Sequence, residues 1–264
     1  MSRVAIGNNK GGSGKSAATV NLADALARAG KRVLVVDMDP QANASRRLGW
    51  EYNPADPKPT LVEAVQAGTT GIAAQAIVPI GWRTAYADRI ELLPSRFDLE
   101  NRVSEAAVLG AVSRLDRALE GADDKYDITL IDCPPSLGHL TQLALAAANV
   151  AICTVEPERD GVDGAVRFRD FIELNRGELK NPDLRLIGAI PCRVRTGLNA
   201  HDHHMANLPL LFPGQVWEPL IPERTVIKDA SDEALPLEAL GSRAKEIISV
   251  YADLAARLLQ ELHA

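Results

Sequence analysis

At 264 residues, with 46% hydrophobic and 24% charged side chains, the chain is long enough for one large α/β domain with a well-buried core, and a single domain over residues 1–264 is expected. A net charge of −6 argues against a protein that coats nucleic acid with its whole surface, since that binding depends on Lys and Arg neutralising phosphates; it leaves room for a local basic patch. No run of 18 apolar residues occurs, and the first residues do not read as a secretory signal, so a cytoplasmic protein without a membrane span is expected.

Apolar β-branched runs alternate with segments of helical period. "RVAIGN" at 3–8 reads as a strand, "SAATVNLADALARAG" as a helix and "KRVLVVDMD" at 31–39 as a second strand. From 50 to 98 the pattern weakens: "WEYNPADPKPT" is rich in proline, "TLVEAVQAG" predicts a short helix and "DRIELLPS" a strand, together an insertion in the same domain. The strand rhythm returns at 126–132, 149–155 and 184–190. Strands this uniformly apolar are buried on both faces, which predicts a mostly parallel twisted sheet with helices on both sides and a ligand beyond the carboxyl ends of the strands. Cys133, Cys153 and Cys192 each lie within or at the end of such a run and read as reduced core thiols. The last segment places Ile247, Tyr251, Leu254, Leu258 and Leu262 on one stripe of an amphipathic helix.

"NNKGGSGKS" at 8–16 links the first strand to the first helix. A helix N-terminus after a buried strand offers unpaired N–H groups and a positive dipole end, and glycines let the backbone wrap phosphate oxygens. Gly11, Gly12, Ser13, Gly14, Lys15, Ser16 and Ala17 form the candidate phosphate cradle. Lys15 is placed to reach the β- and γ-phosphates, and Ser16 to put its hydroxyl on Mg²⁺. Asn9 stands where the ordinary phosphate-loop pattern has its first glycine; the fitting pattern is K-G-G-x-G-K-[ST], with Lys10 in front.

That variant resembles the deviant Walker A motif of the ParA and MinD ATPases, and "VLVVDMDPQANAS" at 33–45 resembles the ParA branch. The resemblance continues through "IELLPSRFDLE" (90–100), "YDITLIDCPPSLG" (126–138) and "IPERTVIKDASDEALPL" (221–237), covering nearly the whole chain. It implies a P-loop NTPase fold, with ATP and Mg²⁺ as cofactors and weak intrinsic hydrolysis. Lys10 becomes the signature lysine that reaches across a dimer interface to the partner's nucleotide; contact with its own phosphates is the alternative. Asp39 becomes the switch residue that helps position the attacking water. Asp37 supports the magnesium region, and Asp132 is the Walker B carboxylate, although a strand-end carboxylate can also simply cap a helix. Pro222 is the expected neighbour of the adenine.

The family reading implies an ATP-dependent homodimer that binds DNA without sequence preference, associates with the nucleoid, and is reset by a ParB-like or cargo-adaptor protein. Arg193 and Arg195 are the DNA candidates, with ordinary surface arginines as the alternative. Positioning of a protein organelle or cluster, a MinD-like membrane cycle and a non-hydrolysing nucleotide sensor are the rival functions. On the terminal helix Arg243, Lys245 and Arg257 are balanced by Glu246, Asp253 and Glu261, so packing on the sheet is expected rather than membrane attachment. "HDHH" at 201–204 reads as the opening of an exposed helix rather than a metal site. Ala17 and Ala18 stand where many relatives have threonines.

Overall fold

The computed structural model describes residues 2–263; the end points Met1 and Ala264 of the expected domain lie outside the described residues. Eight strands form one sheet: β1 (Ser2–Gly7), β2 (Val33–Asp37), β3 (Val78–Pro79), β4 (Ile90–Leu93), β5 (Ile128–Asp132), β6 (Val150–Val155), β7 (Arg185–Val194) and β8 (Ile221–Pro222). Their order is β3-β4-β2-β5-β1-β6-β7-β8, and every pairing is parallel except the β3 edge. The fold is therefore the α/β class expected. The helices are α1 (Lys15–Arg28), α2 (Asn43–Arg47), α3 (Leu61–Ala67), α4 (Arg114–Leu119), α5 (His139–Ala147), α6 (Arg159–Asn175), α7 (Asn199–Leu211), α8 (Thr225–Asp232) and α9 (Lys245–His263).

All of β2, β5 and β6 is buried, as strands covered on both faces must be. One face of the sheet is covered by α1, α8 and α9 through Leu22, Leu26, Val226, Tyr251, Leu254 and Leu258. The other is covered by α3 to α7 through Leu61, Leu115, Leu143, Phe168, Ile172 and Leu208. The stripe expected on the terminal helix is the buried one, with Ile247, Tyr251, Leu254, Ala255 and Leu258 inside. Helix α3 begins with a capping box: Val62 N–H donates to Thr60 Oγ1 (3.2 Å) while Glu63 Oε2 accepts from Thr60 N–H (2.8 Å).

Two differences from the sequence reading matter. The strand expected at 184–190 runs on to Val194, which carries Cys192 and Arg193 to the carboxyl end of the sheet. The stretch from 50 to 98 is built into the sheet, with β4 beside β2 and β3 as its antiparallel cover. At the amino end of β1 the Arg3 guanidinium holds Asp123 (2.7 and 3.0 Å) and Asp116 (2.7 Å), which anchors the central strand opposite the candidate site.

Candidate nucleotide site

β1 lies between β5 and β6, so the loop after it opens where the sheet connections diverge. Gly14, with φ 86°, turns the chain into α1; a Cβ there would stand 3.3 Å from Cys192 Cβ. Buried Asn8 donates to the carbonyls of Thr154 (2.6 Å) and Gly161 (3.1 Å), and Ser13 Oγ lies 3.3 Å from Thr154 Oγ1, so the loop is tied to the end of β6. The first turn of α1 carries no acidic residue and no side-chain cap, leaving its N–H groups for an anion. Lys15 is buried, and its ammonium donates to the Lys10 carbonyl (2.8 Å) and weakly to Ser13 Oγ (3.5 Å). Burial lowers its pKa against the opposing pull of Asp132 and Asp39.

The carboxylates gather on the neighbouring strand ends. Asp37 and Asp132 are paired in register across β2 and β5, both with no exposed surface. Desolvation raises the pKa of each; mutual repulsion adds to the rise at Asp37. Asp132 Oδ1 accepts from Thr19 Oγ1 (3.1 Å), and the neighbouring Ser16 hydroxyl works against the rise in its pKa. Its Oδ2 is buried without a partner. An orphaned carboxylate oxygen beside a hydroxyl, in a site with two buried acids, fits a hard divalent cation that takes oxygen ligands. Ser16 and Asp132 would hold it, and such an ion would neutralise phosphate charge. Asp37 is differently employed: Oδ2 accepts from Ser45 N–H (2.8 Å) and Oγ (2.7 Å), and Oδ1 from Asp39 N–H (3.1 Å). Both its oxygens thus pin the segment that carries Asp39. Asp39 lines the cleft, accepts from Gln41 N–H (2.9 Å), and has its pKa raised by burial.

The loop floors a cleft of about 720 Å³ whose far wall includes Ile221, Pro222, Ile227 and Tyr251. Phosphate cradle, Asp39 and an apolar wall thus line one continuous cavity, with Asp37 and Asp132 buried out of it. A family profile described as an AAA domain matches residues 1–186. The chain is 31% identical to the sporulation initiation inhibitor protein Soj of Bacillus subtilis over 260 residues, covering 96% of each chain. It is 37% identical to the chromosome-partitioning ATPase Soj of Thermus thermophilus over 195 residues, 71% of this chain and 68% of the other. The chain belongs to the ParA-type family of partition ATPases. A solved relative, cobyrinic acid a,c-diamide synthase of Mycobacterium smegmatis, has been captured with an ATP analogue and magnesium and with ADP and magnesium; it is 27% identical with a TM-score of 0.80, covering 100% of this chain and 96% of the other. ATP and Mg²⁺ are the cofactors that this ParA-type cleft is built to take.

The remaining candidates occupy the mouth of the ParA-type loop. Lys10 Nζ meets Glu156 Oε2 at 2.8 Å and Glu158 Oε2 at 3.5 Å, away from the phosphate cradle. Burial works against its charge, but the hydrogen bond and charge of Glu156 prevail and raise its pKa. Arg193 adopts a left-handed φ of 55°, which costs an ordinary residue about 1–3 kcal/mol; its guanidinium donates to the Gly12 carbonyl (2.9 Å) and pairs with Glu156 (3.3 Å) and Glu223 (3.5 Å). Arg195 is bound by Glu223 and exposed. The two arginines singled out for DNA therefore diverge, Arg193 joining the nucleotide loop and Arg195 the rim. His201, expected on an exposed helix start, is buried in α7, where its Nδ1 accepts from Arg195 N–H at 3.1 Å; His203 and His204 stay near the surface.

Sequence reasoning missed Glu156, Thr19 and Arg47. Glu156 stands just past an apolar strand, the place where parallel sheets put ligand chemistry, and that signal was available. Thr19 lies three residues beyond Ser16 on the same helix face. Arg47 closes a five-residue helix with no apolar period to flag it.

Proposed function

We propose that this ParA-type ATPase, acting as a single domain, binds Mg-ATP, pairs with a second copy of itself across the nucleotides, and in that state binds DNA without sequence preference and associates with the nucleoid. Hydrolysis, with Asp39 orienting the attacking water, is stimulated by a ParB-like or other adaptor protein on the cargo and returns the protein to the free state. One observation carries the reading: Lys15 closes on its own loop, whereas Lys10 stands outside the cradle, its side chain 23% exposed and held, among the described residues, only by glutamates. A cation so placed can exchange its glutamates for a phosphate presented from another subunit. The cargo is a plasmid or chromosomal centromere complex, or a protein assembly handled by the same DNA-bound carrier. Against a membrane cycle, the apolar stripe of α9 is already spent on the sheet layer.

DNA co-sedimentation with ATP, with ADP and without nucleotide tests the proposal. Retention should require ATP. Light scattering of Lys10→Ala should show ATP affinity within a few-fold of the wild type and no ATP-dependent dimer; a persisting dimer would sink the cross-subunit role. Asp39→Ala should bind ATP yet turn over at a small fraction of the wild-type rate, and unchanged turnover would remove its assignment.

A further inference from the structure

Three arginines at the rim of the nucleotide cleft are neutralised in place, whereas the cleft-lining Lys228 forms no ion pair among the described residues. Arg193 is held by Glu156 and Glu223, Arg195 by Glu223, and Arg224 by Glu246 in a two-pronged pair at 3.0 and 3.1 Å. Arg47 also lines the cleft, yet it forms no ion pair among the described residues. Its backbone is fixed, because the indole of buried Trp82 donates to the Arg47 carbonyl at 3.0 Å. Its side chain crosses from the end of α2 to α8, where one N–H donates to Ser231 Oγ. Among the described residues none of its nitrogens is both buried and without a partner, so the N–H groups not given to Ser231 keep accessible surface in a residue that lines the cavity. A half-buried guanidinium without a counter-charge is costly to maintain. Burial lowers its pKa, with the distant Asp132 the foremost opposing charge.

We propose that Arg47 is a nucleotide-contacting residue of this cleft, donating hydrogen bonds to ring-nitrogen or ribose-oxygen acceptors at the nucleoside end of bound ATP and so setting affinity and nucleotide choice. The nucleoside end is favoured over the phosphates for two reasons. The phosphate end already has its complement in the backbone of Gly11 to Ala17 and in Lys15, whereas Arg47 is tied to α8, the helix that follows the Pro222 wall. A guanidinium has five donors and no acceptor, which suits a ligand edge rich in acceptors. The inference rests on the cleft holding ATP and is independent of dimerisation and DNA binding.

Calorimetric titration of the full chain with Mg-ATP and, separately, with magnesium and inorganic tripolyphosphate tests it. Arg47→Ala should weaken ATP by about tenfold, the worth of a charged hydrogen bond, and leave tripolyphosphate within about twofold. Arg47→Gln keeps most of the aliphatic stem while removing the charge, and should weaken ATP in the same direction without lowering the melting temperature. Unchanged ATP affinity in either folded variant would overturn the proposal. So would an equal loss for ATP and tripolyphosphate, which would make Arg47 a general phosphate attractor.

Discussion

One carboxylate governs the mouth of the phosphate loop. Glu156 lies between Lys10 and Arg193, so both cations are engaged before any phosphate arrives. Removing that competitor while keeping its shape should loosen Lys10: Glu156→Gln is expected to shift the ATP-dependent dimer to several-fold lower ATP, read by light scattering, and an unshifted transition would mean the pair does not restrain it. The facing acids Asp37 and Asp132 lead to a dependence on pH. Their folded pKa values lie above the usual carboxylate value near 4, so in the metal-free protein they favour folding when protonated, and that contribution is lost as pH rises from about 4 through their raised values. Melting temperature should therefore fall between about pH 5 and 8 without magnesium, less so in Asp132→Asn. Added Mg²⁺ and nucleotide should restore stability increasingly toward high pH, and an equal gain at both ends of the range would count against Asp132 as a metal ligand.

Among the elements, β1 is held at both ends by polar contacts and along its length by burial. Its amino end depends on Arg3, whose loss would leave Asp123 buried without its counter-charge. Arg3→Ala should cost about 3–5 kcal/mol in urea unfolding, and Arg3→Met with Asp123→Leu should recover much of it, with ATP affinity of the folded protein unchanged in both. The strands that dominate the sheet were legible because burial on both faces writes an unbroken apolar run, as in "VLVV" and "ITLI". β3 and β8 were not, since each has two residues and ends in proline, so only tertiary pairing defines them. The phosphate loop was legible from glycine spacing, because its φ values and its closeness to Cys192 demand glycine locally. Its partners Thr154, Gly161 and Glu156 lie more than 140 residues away, and no local period encodes such a contact. Asp37 was read as a metal-region residue from its place beside Asp39; its engagement with Ser45, eight residues on, follows from how the chain turns into α2.

For the whole molecule, the balance of 29 basic against 35 acidic residues limits what DNA binding can be. Contacts must come from a confined patch, so the slope of log affinity against log salt should be no steeper than about −5, corresponding to some five or six phosphates per dimer. A much steeper slope would require a cationic surface broader than a net charge of −6 favours. The nucleotide cleft draws on both halves of the sheet: Asp39 and Arg47 follow β2 on one side, and Cys192, Arg193 and Pro222 belong to β7 and β8 on the other. Between them lies the bond from the Lys15 ammonium to the Lys10 carbonyl. A phosphate that drew the Lys15 ammonium off that oxygen would free the carbonyl of the residue that bears the other lysine. The phosphate-facing ammonium and the backbone of the mouth lysine are thus a single hydrogen bond apart, with no strand or helix between them.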